Sequence, residues 1–217
     1  MSRPPLTRGR VVDAASRVAD AAGLAGVSMR SVGRELGVEA MSLYHHVTNK
    51  EALLDALADW VFEQVVTPAT GPWRAEMHAR AHSAREVLAA HPWGLGLLES
   101  RRSPGPATLG HHDAVLGCLR SAGFSVALAA HAFSVLDAYT YGFVLTEVNL
   151  PFEPGEPAED FVAELGVALA DRPHLAEMVA EQVVGRDYRY ADEFDYGLTL
   201  VLDGIEAAFA SELRGRS

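Results

Sequence analysis

The feature that most constrains this chain is residues 28 to 57, SMRSVGRELGVEAMSLYHHVTNKEALLDAL. Ser28 is a preferred helix-capping residue, and apolar side chains follow it at helical spacing. Gly37 then interrupts the pattern, and glycine adopts without steric cost the left-handed conformation that often follows a helix. The segment therefore predicts two short helices joined by a tight glycine turn.

The second of these helices is predicted from about Glu39 to His46, with Leu43 facing inward and polar or small side chains on the outer face. Thr48 and Glu51 have the three-residue spacing of a capping box, which predicts the start of a longer helix over about residues 49 to 66. Many all-helical proteins contain such a helical pair for packing reasons alone. The spacing by itself therefore leaves a binding role and a structural role open.

Charge is distributed unevenly along the chain, which has 18 Lys and Arg against 29 Asp and Glu, a net of -11. Residues 1 to 50 carry seven basic and four acidic side chains, a net of +3 against -14 for the remainder. Lys50, the only lysine, lies in this part. A basic end on an acidic protein indicates a surface that faces phosphate, and a chance distribution of arginine is the alternative.

The run LGVEAMSLYHHVTNKEALLDAL resembles the signature of the tetracycline-repressor (TetR) family, in which LGV, LYxHF or LYxHV, and NKxxLL recur at these separations. The resemblance implies an all-α fold and a DNA-binding transcriptional regulator. It places a three-helix helix-turn-helix domain at residues 1 to 66 and a larger effector-binding and dimerisation domain at residues 67 to 217. Repression of transcription is the family default, and activation or a response to a metal is the alternative.

The helix face and the family motif together indicate which side chains would contact double-stranded DNA. They are Arg30, Glu39, Ala40, Met41, Tyr44, His46 and Lys50. Arg30 and His46 can donate to base edges or phosphates, whereas Ala40 and Met41 offer only apolar contact. Tyr44 and Lys50 are expected to anchor the phosphate backbone.

The second half of the chain also has helical patterns, and no strand pattern competes with them. Prolines and a glycine in residues 67 to 72 predict a break. Helices are then expected over residues 73 to 90, in a short stretch before residue 103, over 107 to 122, and from Ser125 to about Val148. Beyond the acidic loop 151 to 157 we expect two more helices, the first interrupted at Arg172-Pro173 and the last over about 192 to 213.

Two long apolar helices near the C-terminus suit the four-helix dimer contact that the family resemblance implies. In such a dimer, the second helices of the two helix-turn-helix units lie about 34 to 36 Å apart and enter successive major grooves of a nearly palindromic operator. Packing of the same apolar stripes within one monomer is the competing interpretation.

Regulators of this family respond to a small molecule, and the resemblance implies a pocket between residues 73 and 148. The candidate ligand contacts are Arg80, Trp93, His112, Phe133, Asp137 and Tyr141. Each of these side chains also has a purely structural interpretation. Leu98 or a neighbour stands where tetracycline-binding members of the family supply a histidine for drug-bound magnesium, so we expect a different effector.

Other functions have weaker support in the sequence. His78, His82 and Glu86 stand at i, i+4 and i+8 of one helix and offer two imidazoles and a carboxylate, but histidines at this spacing are usually incidental, and we predict no metal or cofactor. An enzyme has little support, because the sequence contains neither a nucleophile elbow nor a phosphate loop. A helical adaptor that binds protein would explain the acidic bulk of the chain but not its basic end.

The expected compartment is the cytoplasm. No apolar signal stretch or membrane-spanning run is present, and a single cysteine, Cys118, cannot form an internal disulfide. We expect Cys118 to be a small core residue, with redox sensing as the alternative.

Overall fold

The structure is a computed structural model that describes residues 4–100, 104–151, 162, 169 and 171–215. This part of the chain is helical and contains no strand, as the sequence predicts. The helices are α1 (Arg8–Gly26), α2 (Met29–Leu36), α3 (Ala40–Leu43), α4 (Lys50–Gln64), α5 (Trp73–Ala90), α6 (Trp93–Ser100), α7 (Pro106–Ser121), α8 (Val126–Glu147), α9 (Pro173–Gln182) and α10 (Glu193–Gly215).

Local capping explains where the first helices begin. Thr7 caps α1 by accepting from the N–H of Arg10 at 3.3 Å. Ser28 caps α2, and its partner in a reciprocal capping box is Ser31. Each cap satisfies backbone donors that have no partner inside the helix. The predicted starting residue of α2 is confirmed.

The cap of α4 lies one residue later than predicted. Asn49, not Thr48, accepts from the N–H of Ala52, at 2.8 Å, and the helix begins at Lys50. Both Thr and Asn are good capping residues, so composition alone does not distinguish the two positions. Lys50 still lies in the first turn of α4, as predicted.

A first apolar core unites α1 to α4, and it extends beyond the predicted domain boundary. Val11, Val32 and Leu57 are fully buried in it. Leu88 of α5 and Val144 of α8 belong to the same cluster. The long helix α4 is therefore packed on both sides, against the N-terminal helices and against the C-terminal half. The division at residue 66 stays a prediction.

A second core lies among α5, α7, α8 and α10, whose bounds agree with the predicted helices to within a few residues. Phe124, Leu136 and Leu198 are fully buried there. Cys118 is also buried in this core, as expected for a structural residue. The predicted acidic loop and the predicted helix before Pro173 lie mostly outside the described residues. Among the described helices, none is long and apolar enough to cross a membrane.

Candidate DNA interface and effector cavity

The turn between α2 and α3 has the geometry that its glycine predicts. Gly37 has φ 62° and ψ 41°, in the left-handed region. Its N–H donates to the carbonyl of Arg34 at 3.0 Å, and the N–H of Val38 donates to the carbonyl of Gly33 at 2.8 Å. These bonds satisfy carbonyls at the end of α2, and the chain turns toward α3.

Gly33 determines how closely α2 and α3 approach each other. It is buried in α2, and a Cβ atom at this position would lie 2.9 Å from the carbonyl oxygen of Val38. The same atom would lie 3.3 Å from the amide nitrogen of Ala40. Both neighbours are backbone atoms, which cannot rotate away as a side chain can. Glycine is therefore required for this helix-turn-helix spacing.

The second helix of the pair is shorter than predicted. The α-helix covers only Ala40–Leu43, so the predicted end at His46 is wrong. Residues 44 to 46 continue as turns, in which the N–H of His46 donates to the carbonyl of Leu43 at 2.9 Å. Leu43 and Val47 are both buried, which anchors the segment on either side of these turns. We refer to residues 39 to 46 as the reading segment.

A cavity of about 350 Å³ lies between α4, α6, α7 and α8. Its lining consists of Asp55, Ala58, Phe62, Leu97, Leu98, Pro104, Gly105, Thr108, His112, Phe133, Asp137 and Tyr141. The His112 ring stands edge-on to the rings of both Phe62 and Phe133, with centroids 5.2 and 5.1 Å away. A mainly apolar wall with a few polar groups is typical of a small-molecule site.

A buried polar network adjoins the cavity at Asp137. The guanidinium of Arg80, 2% exposed, lies 2.6 Å from the carboxylate of Asp137 and donates through Nε to Nε2 of His111 at 2.8 Å. Burial, with the nearby charge of Arg80, lowers the pKa of His111 to about 3, so this imidazole is neutral. Burial also raises the pKa of Tyr141, whose hydroxyl lies beside Asp137 and Arg80. Arg80 and Asp137 compensate each other's charge.

A carboxylate on α4 binds the first turn of α7. Asp59, which is 6% exposed, accepts through Oδ1 from the N–H and the hydroxyl of Thr108 at 2.8 and 3.0 Å. Its Oδ2 accepts from the N–H of Ala107 at 3.3 Å. Gly105 allows this approach, because a Cβ there would overlap the carboxylate of Asp59. The Asp59 side chain thus takes the place of an N-cap for α7.

Two family models match the chain over most of its length. Residues 11–57 match the model described as bacterial regulatory proteins of the tetR family. Residues 67–209 match the model described as the tetracyclin repressor-like C-terminal domain. This chain belongs to the TetR family. The fold and the regulator class that the sequence resemblance implied are confirmed.

Individual TetR-family relatives align along almost the whole chain. It is 34% identical to the HTH-type transcriptional repressor DrrR1 of Streptomyces coeruleorubidus, covering 99% of this chain and 82% of that protein. It is 30% identical to the tetracycline repressor protein class A from transposon 1721 of Escherichia coli, covering 90% and 88%. The structure superimposes on ActR from Streptomyces coelicolor in complex with actinorhodin with a TM-score of 0.77, at 27% identity, covering 95% and 98%.

The residues predicted to contact DNA lie at or near the surface of the helix-turn-helix of this TetR-family protein. Arg30, Glu39, Met41, Tyr44 and Lys50 are exposed, whereas Ala40 and His46 are half-buried. Met41 is 74% exposed, so its apolar side chain is accessible to a partner. In the described part of the chain, neither Arg30 nor Lys50 forms an ion pair, whereas Arg17 pairs with Glu35. The two free cations are available to phosphate.

The residues predicted to contact an effector divide into two groups. His112, Phe133, Asp137 and Tyr141 line the cavity together. Arg80 lies behind this lining, where it contacts Asp137. Trp93 is not part of the lining.

Trp93 instead joins the N-terminal helices to α6. It is 8% exposed, and its Nε1 donates to Oδ1 of Asp20 on α1 at 2.6 Å. His91 contacts the same carboxylate oxygen at 2.7 Å. This placement agrees with the structural interpretation of Trp93, and its contact with an effector stays a prediction.

Sequence reasoning did not identify the contribution of α4 to the cavity. Asp55 and Phe62, at i and i+7, line the cavity, and Asp59, at i+4 on the same face of α4, binds the start of α7. Two carboxylates and a ring on a face next to buried leucines are a signal that was present in the sequence. This pattern indicates that α4 contacts polar groups on that face, in addition to the apolar residues that pack against its leucines.

Proposed function

We propose that this TetR-family protein is a transcriptional repressor that binds a nearly palindromic operator as a homodimer and releases it when a small molecule enters the cavity. The proposal rests on the position of α4, which directly follows the reading segment and also lines the cavity. Related proteins named as repressors support repression rather than activation. The protein would act by binding alone, in the bacterial cytoplasm, without an enzymatic step.

For the DNA contacts we propose a division of roles. Tyr44 and Lys50 would hold the phosphate backbone, while Arg30 and His46 would donate to phosphates or base edges. Met41 offers only an apolar surface, which suits a thymine methyl group. Few side-chain hydrogen bonds to bases are available from this set, which suggests that backbone contacts supply most of the affinity.

The proposed dimer face consists of α8 and α10, which pack against each other within the chain. These helices expose large apolar side chains, namely Val126, Val135, Leu145, Tyr196, Leu200 and Leu213. Burying these exposed apolar residues against a second copy of the chain is more favourable than leaving them in contact with water. Pairing of these faces would place two reading segments on one side of the duplex.

The proposed effector is a compact, largely apolar molecule that contains an aromatic ring. The rings of Phe62, Phe133 and His112 form one part of the lining, and Asp55, Asp137 and Tyr141 provide polar groups. The cavity volume of about 350 Å³ is near the lower end of the range for small-molecule sites. The ActR structure in complex with actinorhodin supports a small-molecule ligand in this fold.

Release would occur by a shift between two conformations of α4. A ligand that binds one form about 100-fold more tightly than the other supplies about 2.7 kcal/mol, which is enough to vacate a moderately occupied operator. The tilt of α4 would move the reading segments away from the spacing of successive major grooves. Equal separations of the reading segments with and without ligand would disprove this mechanism.

The direct test is a gel-retardation experiment with a DNA fragment carrying the promoter of the protein's own gene. The proposal predicts a retarded complex that forms in nanomolar to micromolar protein and weakens as salt is raised. A fragment of the same length with shuffled sequence is the control. Addition of a small-molecule extract from the source cells should release the complex. Equal affinity for both fragments would contradict the assignment of a specific operator.

The role of Lys50 can be measured separately. We expect Lys50→Ala to weaken binding to operator and shuffled DNA alike, because a phosphate contact carries no sequence information. The slope of log K against log salt should fall by about one unit per subunit. Lys50→Arg should keep the slope, and Arg214→Ala, at the opposite end of the chain, should leave binding unchanged. An unaltered slope in Lys50→Ala would rule out the phosphate contact.

A further inference from the structure

We propose that His78 and His82 of α5, together with Asp195 of α10, form a binding site for a divalent transition-metal ion such as Zn²⁺ or Ni²⁺. The site is distinct from the effector cavity, which is formed by α4, α6, α7 and α8. The sequence pattern places Glu86 as the third ligand, but the structure brings Asp195 to the histidine pair instead. This carboxylate comes from a helix far away in the sequence.

The three side chains converge on one point. Their ligand atoms all lie within 4.8 Å of one another. Oδ1 of Asp195 is 2.6 Å from Nε2 of His82 and 3.9 Å from Nε2 of His78, and the two imidazole rings have centroids 4.5 Å apart. Metal bonds of about 2.0 to 2.2 Å separate neighbouring ligand atoms by about 3.3 Å in a tetrahedral site. Small side-chain rotations would therefore bring the three atoms to coordinating positions.

The packing around Asp195 orders two of the three ligands, Asp195 and His82, before any ion binds. The preceding residue, Phe194, is fully buried, and its carbonyl accepts from the hydroxyl of Tyr139 at 2.8 Å. The ring of His82 stands edge-on to Phe194, with centroids 5.1 Å apart and an interplanar angle of 88°. The backbone of Asp195 and the plane of His82 are thus fixed by the core, which reduces the entropy lost on binding.

One ligand atom also lacks an ordinary partner. Nε2 of His82 is buried, and within the described residues it has no hydrogen bond of acceptable geometry, although Asp195 is only 2.6 Å away. A metal ion bound to this nitrogen and to the carboxylate would give the buried nitrogen a partner. Arg85, a cation whose charge interacts with that of Asp195, is held by two hydrogen bonds to Glu147.

Two imidazoles and one carboxylate suit Zn²⁺, Ni²⁺, Co²⁺ or Cu²⁺ rather than Mg²⁺ or Ca²⁺, which prefer oxygen ligands. The remaining coordination positions would be filled by water, because His78 and Asp195 are both largely exposed. A bound ion would join α5 to the first turn of α10. It would thereby stabilise the helix that carries part of the proposed dimer face.

The test is a titration of the full chain, prepared without a histidine tag and treated with chelator, with NiCl₂ or ZnCl₂ in a calorimeter. We expect one ion per chain and a higher melting temperature in its presence. His82→Gln and Asp195→Asn should each weaken binding at least tenfold and abolish the shift in melting temperature. His78→Gln provides a third variant if one of these is poorly folded by circular dichroism.

Matched controls distinguish this site from other histidines. Glu86→Gln and His131→Gln, an exposed histidine of α8, should bind the ion like the wild type. No binding at 100 µM metal, or wild-type affinity in Asp195→Asn, would overturn the proposal. DNA binding measured in chelator tests the repressor assignment independently, so the two proposals can fail separately.

Discussion

Gly33→Val is expected to weaken operator binding by about ten- to a hundredfold. A side chain at this position meets the carbonyl oxygen of Val38 and the amide of Ala40, so α2 and α3 must separate. Overpacking of this kind costs about 1 to 3 kcal/mol, and it displaces the reading segment from its supporting helix. The measurement is a fluorescence-anisotropy titration of operator DNA with the variant and the wild type.

Gly117→Ala is the control for this substitution. Gly117 is an exposed glycine of α7 with no heavy atom within 4 Å of an added Cβ. Alanine is favoured over glycine inside a helix by up to about 1 kcal/mol, so this variant should be as stable as the wild type or more stable. Wild-type affinity for operator in Gly33→Val would show that the close approach of α2 and α3 is dispensable.

Arg80→Leu is expected to lower the free energy of unfolding by about 3 to 5 kcal/mol. The substitution leaves the carboxylate of Asp137 in a largely buried site without its cation, and it removes the donor to His111. Urea unfolding followed by circular dichroism measures the loss.

A second arginine of α5, Arg74, tests whether burial of the ion pair causes this loss of stability. Arg74 forms ion pairs with Asp203 and Glu206 that are much more exposed. Arg74→Leu should therefore cost about 1 kcal/mol or less. The double variant Arg80→Leu with Asp137→Leu should recover much of the stability, because no uncompensated charge remains. Equal losses for Arg74→Leu and Arg80→Leu would contradict this assignment.

The sequence predicts the helix-turn-helix well because its signals are local. The hydroxyl of Ser28 and the left-handed Gly37 each act on neighbouring backbone groups, and the structure confirms both. The end of α3 and the cap at Asn49 were missed by one to three residues. At these positions several residues have similar propensities, so tertiary packing of Leu43 and Val47 decides where the helix stops.

The cavity and the histidine cluster depend on contacts between distant segments. His112, Phe133, Asp137 and Tyr141 were suggested by family resemblance, and the structure places them around one cavity. Asp59 was not suggested, because its partners lie nearly fifty residues away. The spacing of two histidines on α5 is visible in the sequence, whereas the approach of Asp195 is not.

The carboxylate of Asp59 has a consequence for how sensitive the regulator can be. If α4 tilts as proposed, this side chain must either lose its three donors on α7 or move that helix with it. Losing an N-cap interaction costs about 0.5 to 2 kcal/mol. This cost adds to the free energy that ligand binding has to supply before the operator is released. A ligand must therefore distinguish the two forms by about 2- to 30-fold more than it would without this contact, so a molecule that fits the cavity poorly leaves the operator occupied.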